Sequence, residues 1–272
     1  MTSDNQMSKE EISAGETAPP ASADLLRTAA DPALTEDLVL ALLKHHGLPI
    51  EVIEQLVKNA SALKSRKVKI ALASHPHTPR HMSVPLARQF YTFDLMKVAL
   101  SPGVPADVKV AVDDVLISRL KTVTIGERLT LARRASGRVA AALLLDAEAG
   151  DGKIVTDKII HTKTVDRETR VMQAALENPR LTEALVISSV LRPVASAALV
   201  QAVAQHAKWS CRREIRAALL RTEHLSLARA LEFSHDFPAP LLHELLASSR
   251  LPAPIKDQLL RERGTDSPPT SP

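Results

Sequence analysis

Aromatic residues are nearly absent. The 272-residue chain holds four Phe, one Tyr and one Trp, 2% of its residues. Strands of β-sandwiches and barrels favour aromatic and β-branched side chains, so this scarcity argues against an all-β fold. It also argues against functions built on stacking platforms, such as sequence-tolerant capture of single-stranded nucleic acid. Cysteine is rarer still. Cys211 is the single one, which excludes an intrachain disulfide and a cysteine-based metal site. No apolar run approaches the roughly 20 residues of a membrane helix; the longest is Val139–Leu145. The polar, acidic first 20 residues lack the apolar core of a signal peptide. A soluble cytoplasmic protein without membrane insertion is the expectation.

What is present is Ala, Leu and Val in quantity, with hydrophobic residues at 45% and charged residues at 24%. The formal charge of +4 is unevenly placed. Residues 1–24 carry Asp4, Glu10, Glu11, Glu16 and Asp24 against Lys9, a net of −4, which leaves +8 on the remainder. A body of that charge suits acidic partners but falls short of a dedicated nucleic-acid binder. Residues 1–23 and 264–272 are too poor in large apolar groups to fold and read as disordered tails, the first of them acidic. The folded body runs from 24 to 263. The stretch Glu148–Lys153, with Gly150 and Gly152, divides it into halves 24–149 and 150–263 of one array.

Within the body the apolar period is helical. Leu38, Leu42 and Leu43, then Val52, Ile53, Leu56 and Val57, then Val108, Val112 and Val115 follow the i, i+3, i+4 rule. Short polar turns separate these segments, and Pro, Thr or Ser opens the next helix. Leu43 leads to Pro49, Leu176 to Thr182, Leu220 to Ser226 and Leu246 to Pro252, each six residues on. A hydroxyl suits a helix start because it accepts from an orphan N–H; proline suits it because its missing N–H would have no partner there. The leading leucines 43, 72, 100 and 131 lie 29, 28 and 31 residues apart, 176 and 220 lie 44 apart, and 220 and 246 lie 26 apart. An imperfect period in this range marks a helical solenoid. Each unit is unable to bury its apolar face alone, and stacked neighbours share one core in which small side chains allow close packing.

Val68-Lys69-Ile70-Ala71-Leu72-Ala73-Ser74-His75-Pro76-His77-Thr78-Pro79 resembles the unit of HEAT-like and leucine-rich-repeat-variant α-solenoids, Val-Arg-x-Ala-Val-Ala-x-Asn-Pro-x-Thr-Pro. Met96–Pro105 is similar in a shortened form, and Ala174–Thr182 keeps the Asn-Pro at 178–179. The resemblance implies an all-α, right-handed α-solenoid of about six to seven degenerate HEAT-like repeats, and a binding scaffold rather than an enzyme. The N-terminal cysteine cluster of some leucine-rich-repeat-variant proteins does not carry over, since Cys211 stands alone. No cofactor is implied.

Three constellations are candidates for function. His75, His77 and His81, with His45 and His46 one unit earlier, offer metal-ligating nitrogens; turn capping is the competing reading. Lys69, Lys97 and Arg128 each lie three residues before an anchor leucine and form a basic stripe in a stacked array, joined by a second patch of Arg212, Arg213 and Arg216 beside Trp209. These read as a surface for an acidic protein partner or for phosphate groups, against the plainer reading of solvated helix faces. Tyr91 projects as a surface anchor beside Phe90 and Phe93, whose i, i+3 spacing places both on the core face. No phosphate loop, Gly-x-Ser-x-Gly elbow or His-Glu-x-x-His motif is present, so no catalytic residue is assigned. The leading function is protein–protein interaction through the basic ridge. The alternative is a nucleic-acid-binding HEAT-like protein of the DNA-repair type.

Overall fold

The computed structural model describes residues 20–45, 47–146 and 158–265, with side chains for 23–45, 47–146 and 167–262. Residues 1–19 of the tail expected over 1–23, His46, the Gly150–Gly152 break and residues 266–272 lie outside the described residues, while 20–23 open a helix and 264–265 end one. Among those described there are sixteen α-helices and no strand, so the chain is all-α. The odd-numbered helices are α1 (Pro20–Ala30), α3 (Ile50–Lys58), α5 (Arg80–Ala87), α7 (Ala106–Ser118), α9 (Gly137–Asp146), α11 (Glu183–Val190), α13 (Arg213–Leu220) and α15 (Ala239–Ala247). The even-numbered ones are α2 (Glu36–Leu42), α4 (Arg66–Ser74), α6 (Thr92–Leu100), α8 (Ile125–Arg134), α10 (Lys158–Leu176), α12 (Ala197–Gln205), α14 (Leu227–Ser234) and α16 (Ala253–Thr265). Their contacts separate into two compact units, Met1–Ser83 and Val84–Pro272.

Helix starts fall at the punctuation read from the sequence, although Thr182 and Ser226 hold the cap positions of α11 and α14 without the expected side-chain bond. Thr35, Ser65, Thr124 and Ser196 cap α2, α4, α8 and α12 by accepting the N–H three residues on. Thr124 and Glu127 close a reciprocal capping box. Pro49, Pro105 and Pro238 occupy the cap position itself, with ψ of 146°, 146° and 147°, one residue ahead of the first-turn position that their missing N–H suggests. Most leading leucines are core residues: Leu43, Leu72, Leu131, Leu176, Leu220 and Leu246 are buried, whereas Leu100 is half-buried.

In the first unit α1 packs on α3 and α2 on α4. In the second, α7, α9, α11, α13 and α15 form an unbroken row of neighbours, and α8, α10 and α12 form another. The first helices of successive pairs start at residues 20, 50 and 80, and again at 183, 213 and 239, a spacing near the leucine period.

The turns are joined by hydrogen bonds that each reach back two helices. A helix leaves its last four carbonyls without internal partners, and here side chains from the turn two helices later satisfy them. In the first unit Asn59 Nδ2 donates to the carbonyls of Ala29 at 3.0 Å and Asp31 at 2.8 Å. In the second, Asn178 Nδ2 donates to Ala132 at 2.7 Å and Ala135 at 3.2 Å. Trp209 Nε1 donates to the Leu176 carbonyl at 2.9 Å, and the Ser249 hydroxyl to the Leu220 carbonyl at 2.6 Å. Arg119 Nη1 donates to the Phe90 carbonyl at 2.6 Å. The same groups turn their own chain: Asn59, Asn178 and Ser249 each accept the N–H two residues on, at 3.0, 2.8 and 3.0 Å.

Candidate binding surface

His75 and His77 belong to this capping scheme. His75 Nδ1 accepts the His77 N–H at 3.2 Å, which places the ring proton on Nε2, 3.1 Å from the His45 carbonyl. His77 Nδ1 lies 2.9 Å from the Leu48 carbonyl. The two rings meet edge to face at 5.8 Å, and His81 is exposed on α5. Among the described residues no three His, Cys, Asp or Glu side chains converge as a metal site. His75 thus combines an acceptor and an N–H donor on one side chain, as Asn59 and Asn178 do with Oδ1 and Nδ2.

The residues of the basic stripe belong to both units. Lys69 is half-buried on α4 of the first unit, whereas Lys97, exposed on α6, and Arg128 lie in the second. Arg128 turns inward and pairs with Asp146 at 2.8 Å, the two side chains only 16% and 13% exposed. A pair desolvated to this degree holds α8 to the end of α9, and removing one partner strands the other. Arg212 pairs with Glu183 at 2.9 Å, and Arg216 binds Asp236 and the Ser210 carbonyl. Trp209 is 1% exposed. Its indole N–H is bonded and the Lys208 ammonium sits 4.1 Å from the ring centre, so the ring is core material and presents no face to a partner. Tyr91 is 70% exposed at the start of α6, as a surface anchor requires. Phe90 is buried but Phe93 is 44% exposed. The expectation that both share the core face is corrected. Phe90 precedes α6 in the turn after α5, so helical i, i+3 spacing does not apply to the pair.

Arg213 does remain on the surface. It lies at the start of α13, its guanidinium 5.5 Å from the Phe237 ring centre. Arg213, Ala217 and Arg221 are i, i+4 and i+8, one side of α13. This side edges a groove of about 320 Å³ between α11, α13 and α15. Ile187 and Leu191 from α11 and its end, Ala217 and Ala218 from α13, and Phe237, Leu241 and Leu245 from α15 and its approach make an apolar floor. Arg213, Glu214 and Arg221 line it with charge, and among the described residues neither arginine is in an ion pair. Arg250 lies beyond the Arg221 end, where its Nη2 donates to the Leu191 carbonyl at 3.2 Å and its N–H to the Arg221 carbonyl at 3.1 Å.

A second basic area surrounds α8 and α10. Arg167 and Arg170 line a hollow of about 160 Å³ with Leu129, and Arg133 and Arg134 line one of about 280 Å³ that shares Leu129. All four arginines are exposed, and none is in an ion pair among the described residues.

Two buried or half-buried titratable groups carry shifted affinities for protons. Burial raises the Asp113 carboxyl above its ordinary value, opposed by the bond it accepts from the Ser136 hydroxyl at 2.8 Å; its other oxygen has no partner. Burial lowers His206, with Glu177 opposing and Lys208 adding to the shift. His206 Nδ1 accepts the Lys208 N–H at 3.2 Å, again the i+2 turn.

No family model, no curated protein and no solved structure matches this chain.

Sequence reasoning singled out Arg213 but missed its neighbours in the groove. Arg221, Ile187 and Leu241 come from three helices about 28 residues apart, and only the Arg213-Ala217-Arg221 spacing within α13 carries a local signal. It also missed Asn59 and Ser249 as caps. An Asn or Ser just past a helix end, about 30 residues beyond an earlier helix end, was the available clue.

Proposed function

We propose that the protein is a non-enzymatic, cytoplasmic α-solenoid scaffold of the HEAT-like type, which binds an acidic protein surface. The observation that carries the reading is the pair of turn-to-turn bonding systems. Side chains at the ends of α3, α7 and α15 cap α1, α5 and α13, and side chains at the ends of α4, α10 and α12 cap α2, α8 and α10. Capping that recurs from one helix end to the one two helices earlier is what a stack of like units requires, since each unit offers the next the same unsatisfied carbonyls. About six to seven degenerate repeats are its units. The successive contacts of α7, α9, α11, α13 and α15 support a continuous helical face, the feature by which stacked repeats engage extended partners. The exposed free thiol of Cys211 fits a reducing compartment, and among the described residues no helix is long and apolar enough to cross a membrane.

Affinity purification of the full chain from its native cell, followed by a salt series, tests the reading. A protein partner released as ionic strength rises supports it. Small-angle scattering tests the architecture separately: an elongated or curved particle is expected, and a compact sphere refutes the stacked array.

One observation favours a second reading. Arg133, Arg134, Arg167 and Arg170 cluster on adjacent helices without ion pairs among the described residues, as phosphate contacts need. Retention of duplex DNA at low salt that collapses steeply with added salt, and is lost when these four are replaced by Gln, favours nucleic acid. No retention at low salt removes this reading.

A further inference from the structure

We infer that the groove between α11, α13 and α15 is a docking site for an amphipathic α-helix with acidic residues two turns apart framing an apolar patch. The inference rests on the scaffold reading and names the chemistry of its partner.

The floor decides the first half. Ile187 on α11, Leu191 at its end and Leu241 on α15 are partly exposed side chains that face each other across α13, and Phe237 closes the bottom. Phosphates or a nucleic-acid backbone gain nothing from such a floor, whereas apolar side chains of a protein do. The charges decide the second half. Arg213 stands at one end of the groove, and Arg221 with Arg250 at the other. Arg213 and Arg221 are eight residues apart on one helix, a rise of about 12 Å. Acidic side chains seven or eight positions apart on a second helix span the same distance, and the residues three and four places in from the first point to the same side. Glu214 is the acidic group among the lining residues; it sits beside Arg213 and leaves the Arg221 end purely basic. Extended peptides are disfavoured because the walls are helices, whose main-chain groups are bonded internally and offer no strand edge. A helical ligand satisfies its own backbone and needs only side-chain contacts.

The test uses the full chain and a fluorescein-labelled, side-chain-stapled helical peptide of about 15 residues. Its Glu residues are placed two turns apart around two Leu residues, with Ala and Gln elsewhere. Binding is read by fluorescence anisotropy. Saturable binding is expected, weakened by at least about tenfold in the Arg213→Glu/Arg221→Glu variant and recovered there by the peptide carrying Lys in place of Glu. Leu241→Ser, checked for an unchanged helical spectrum, weakens both peptides alike. No saturable binding to the unaltered protein overturns the inference, as does binding indifferent to the arginine exchange. A groove occupied by a second copy shows as a dimer in sedimentation that the arginine exchange dissociates, and this too overturns it. A cellular partner retained by the Arg213→Glu/Arg221→Glu variant, and not displaced by the peptide, sinks the docking site while the scaffold reading stands. Absence of any partner together with absence of peptide binding sinks both.

Discussion

Replacing Asn178 tests the capping account most directly. Asn178 is fully buried, with three hydrogen bonds: Nδ2 to the carbonyls of Ala132 and Ala135, and Oδ1 from the Arg180 N–H at 2.8 Å. A net hydrogen bond contributes about 1 kcal/mol, and a buried group left unsatisfied costs about 1–3 kcal/mol. Asn178→Ala removes all three bonds and strands two carbonyls at the end of α8 and one N–H. The expected loss is about 3–5 kcal/mol, read as a shift of the urea midpoint by circular dichroism at constant slope. Asn178→Asp discriminates capping from mere space filling. The carboxylate still accepts the Arg180 N–H, but it sets an anionic oxygen against two carbonyl oxygens. At neutral pH it is therefore less stable than the Ala variant. On acidification the carboxyl protonates and regains one donor, so the order of the two variants reverses. Asn178→His recovers part of the loss, as the ring of His75 performs both roles in the first unit. A cost below about 1 kcal/mol for Asn178→Ala refutes the reasoning, as does an Asp variant that outranks it at pH 7.

The remaining predictions rest on single positions. A Cβ on Gly137 would lie 2.3 Å from the Arg180 carbonyl oxygen, whereas one on Gly126 meets nothing within 4 Å. Gly137→Ala therefore destabilises by about 1–3 kcal/mol, and Gly126→Ala stabilises by about 0.4–1 kcal/mol; thermal unfolding distinguishes them, and equal effects contradict the packing. His206 is held below its ordinary value, so the unfolded chain binds the proton more readily. Its contribution is complete above the unfolded pKa, near 6.5, and is lost as pH falls toward the lower folded value. In His206→Gln the corresponding slope of stability against pH flattens. Asp113 is held above its ordinary value, so its neutral form is favoured and stability falls as pH rises through the folded pKa. Asp113→Asn raises the unfolding midpoint at pH 7 and has little effect below pH ~4; a lower midpoint at pH 7 counts against burial as the cause.

The helices, their cap residues and the anchor leucines were legible in the sequence because each depends on neighbours a few residues away. The Leu-to-cap spacing places Pro49, Thr182, Ser226 and Pro252 at helix starts, and Leu72, Leu176 and Leu220 in the core. What failed was the assignment of exposure to single polar or aromatic residues in turns. Trp209 reads as a surface ring beside arginines until the Leu176 carbonyl, 33 residues back, is seen to take its N–H. Phe93 reads as core until Phe90 is seen to lie before the helix begins. Contacts that close over about 30 residues leave no mark within a window of ten.

The same capping geometry explains how the basic residues sort into two groups. Arg128, Arg212 and Arg216 each meet a carboxylate in their own unit, and Arg119 and Arg180 reach the carbonyl ends of earlier helices. Cations at helix C-termini are favoured by the helix dipole as well as by the orphan carbonyls, so stacked helices draw arginine to their turns for stability alone. Counting basic residues therefore overstates the charge offered to a partner. Arg213 and Arg221 differ because they lie along the side of α13, facing a groove rather than a carbonyl or a carboxylate. The i, i+4, i+8 arrangement with a small Ala217 between them leaves the floor open where a large residue would fill it. Substituting Ala217 by Leu therefore closes the groove from its own wall, and it abolishes helix docking without touching either charge or any turn-to-turn bond.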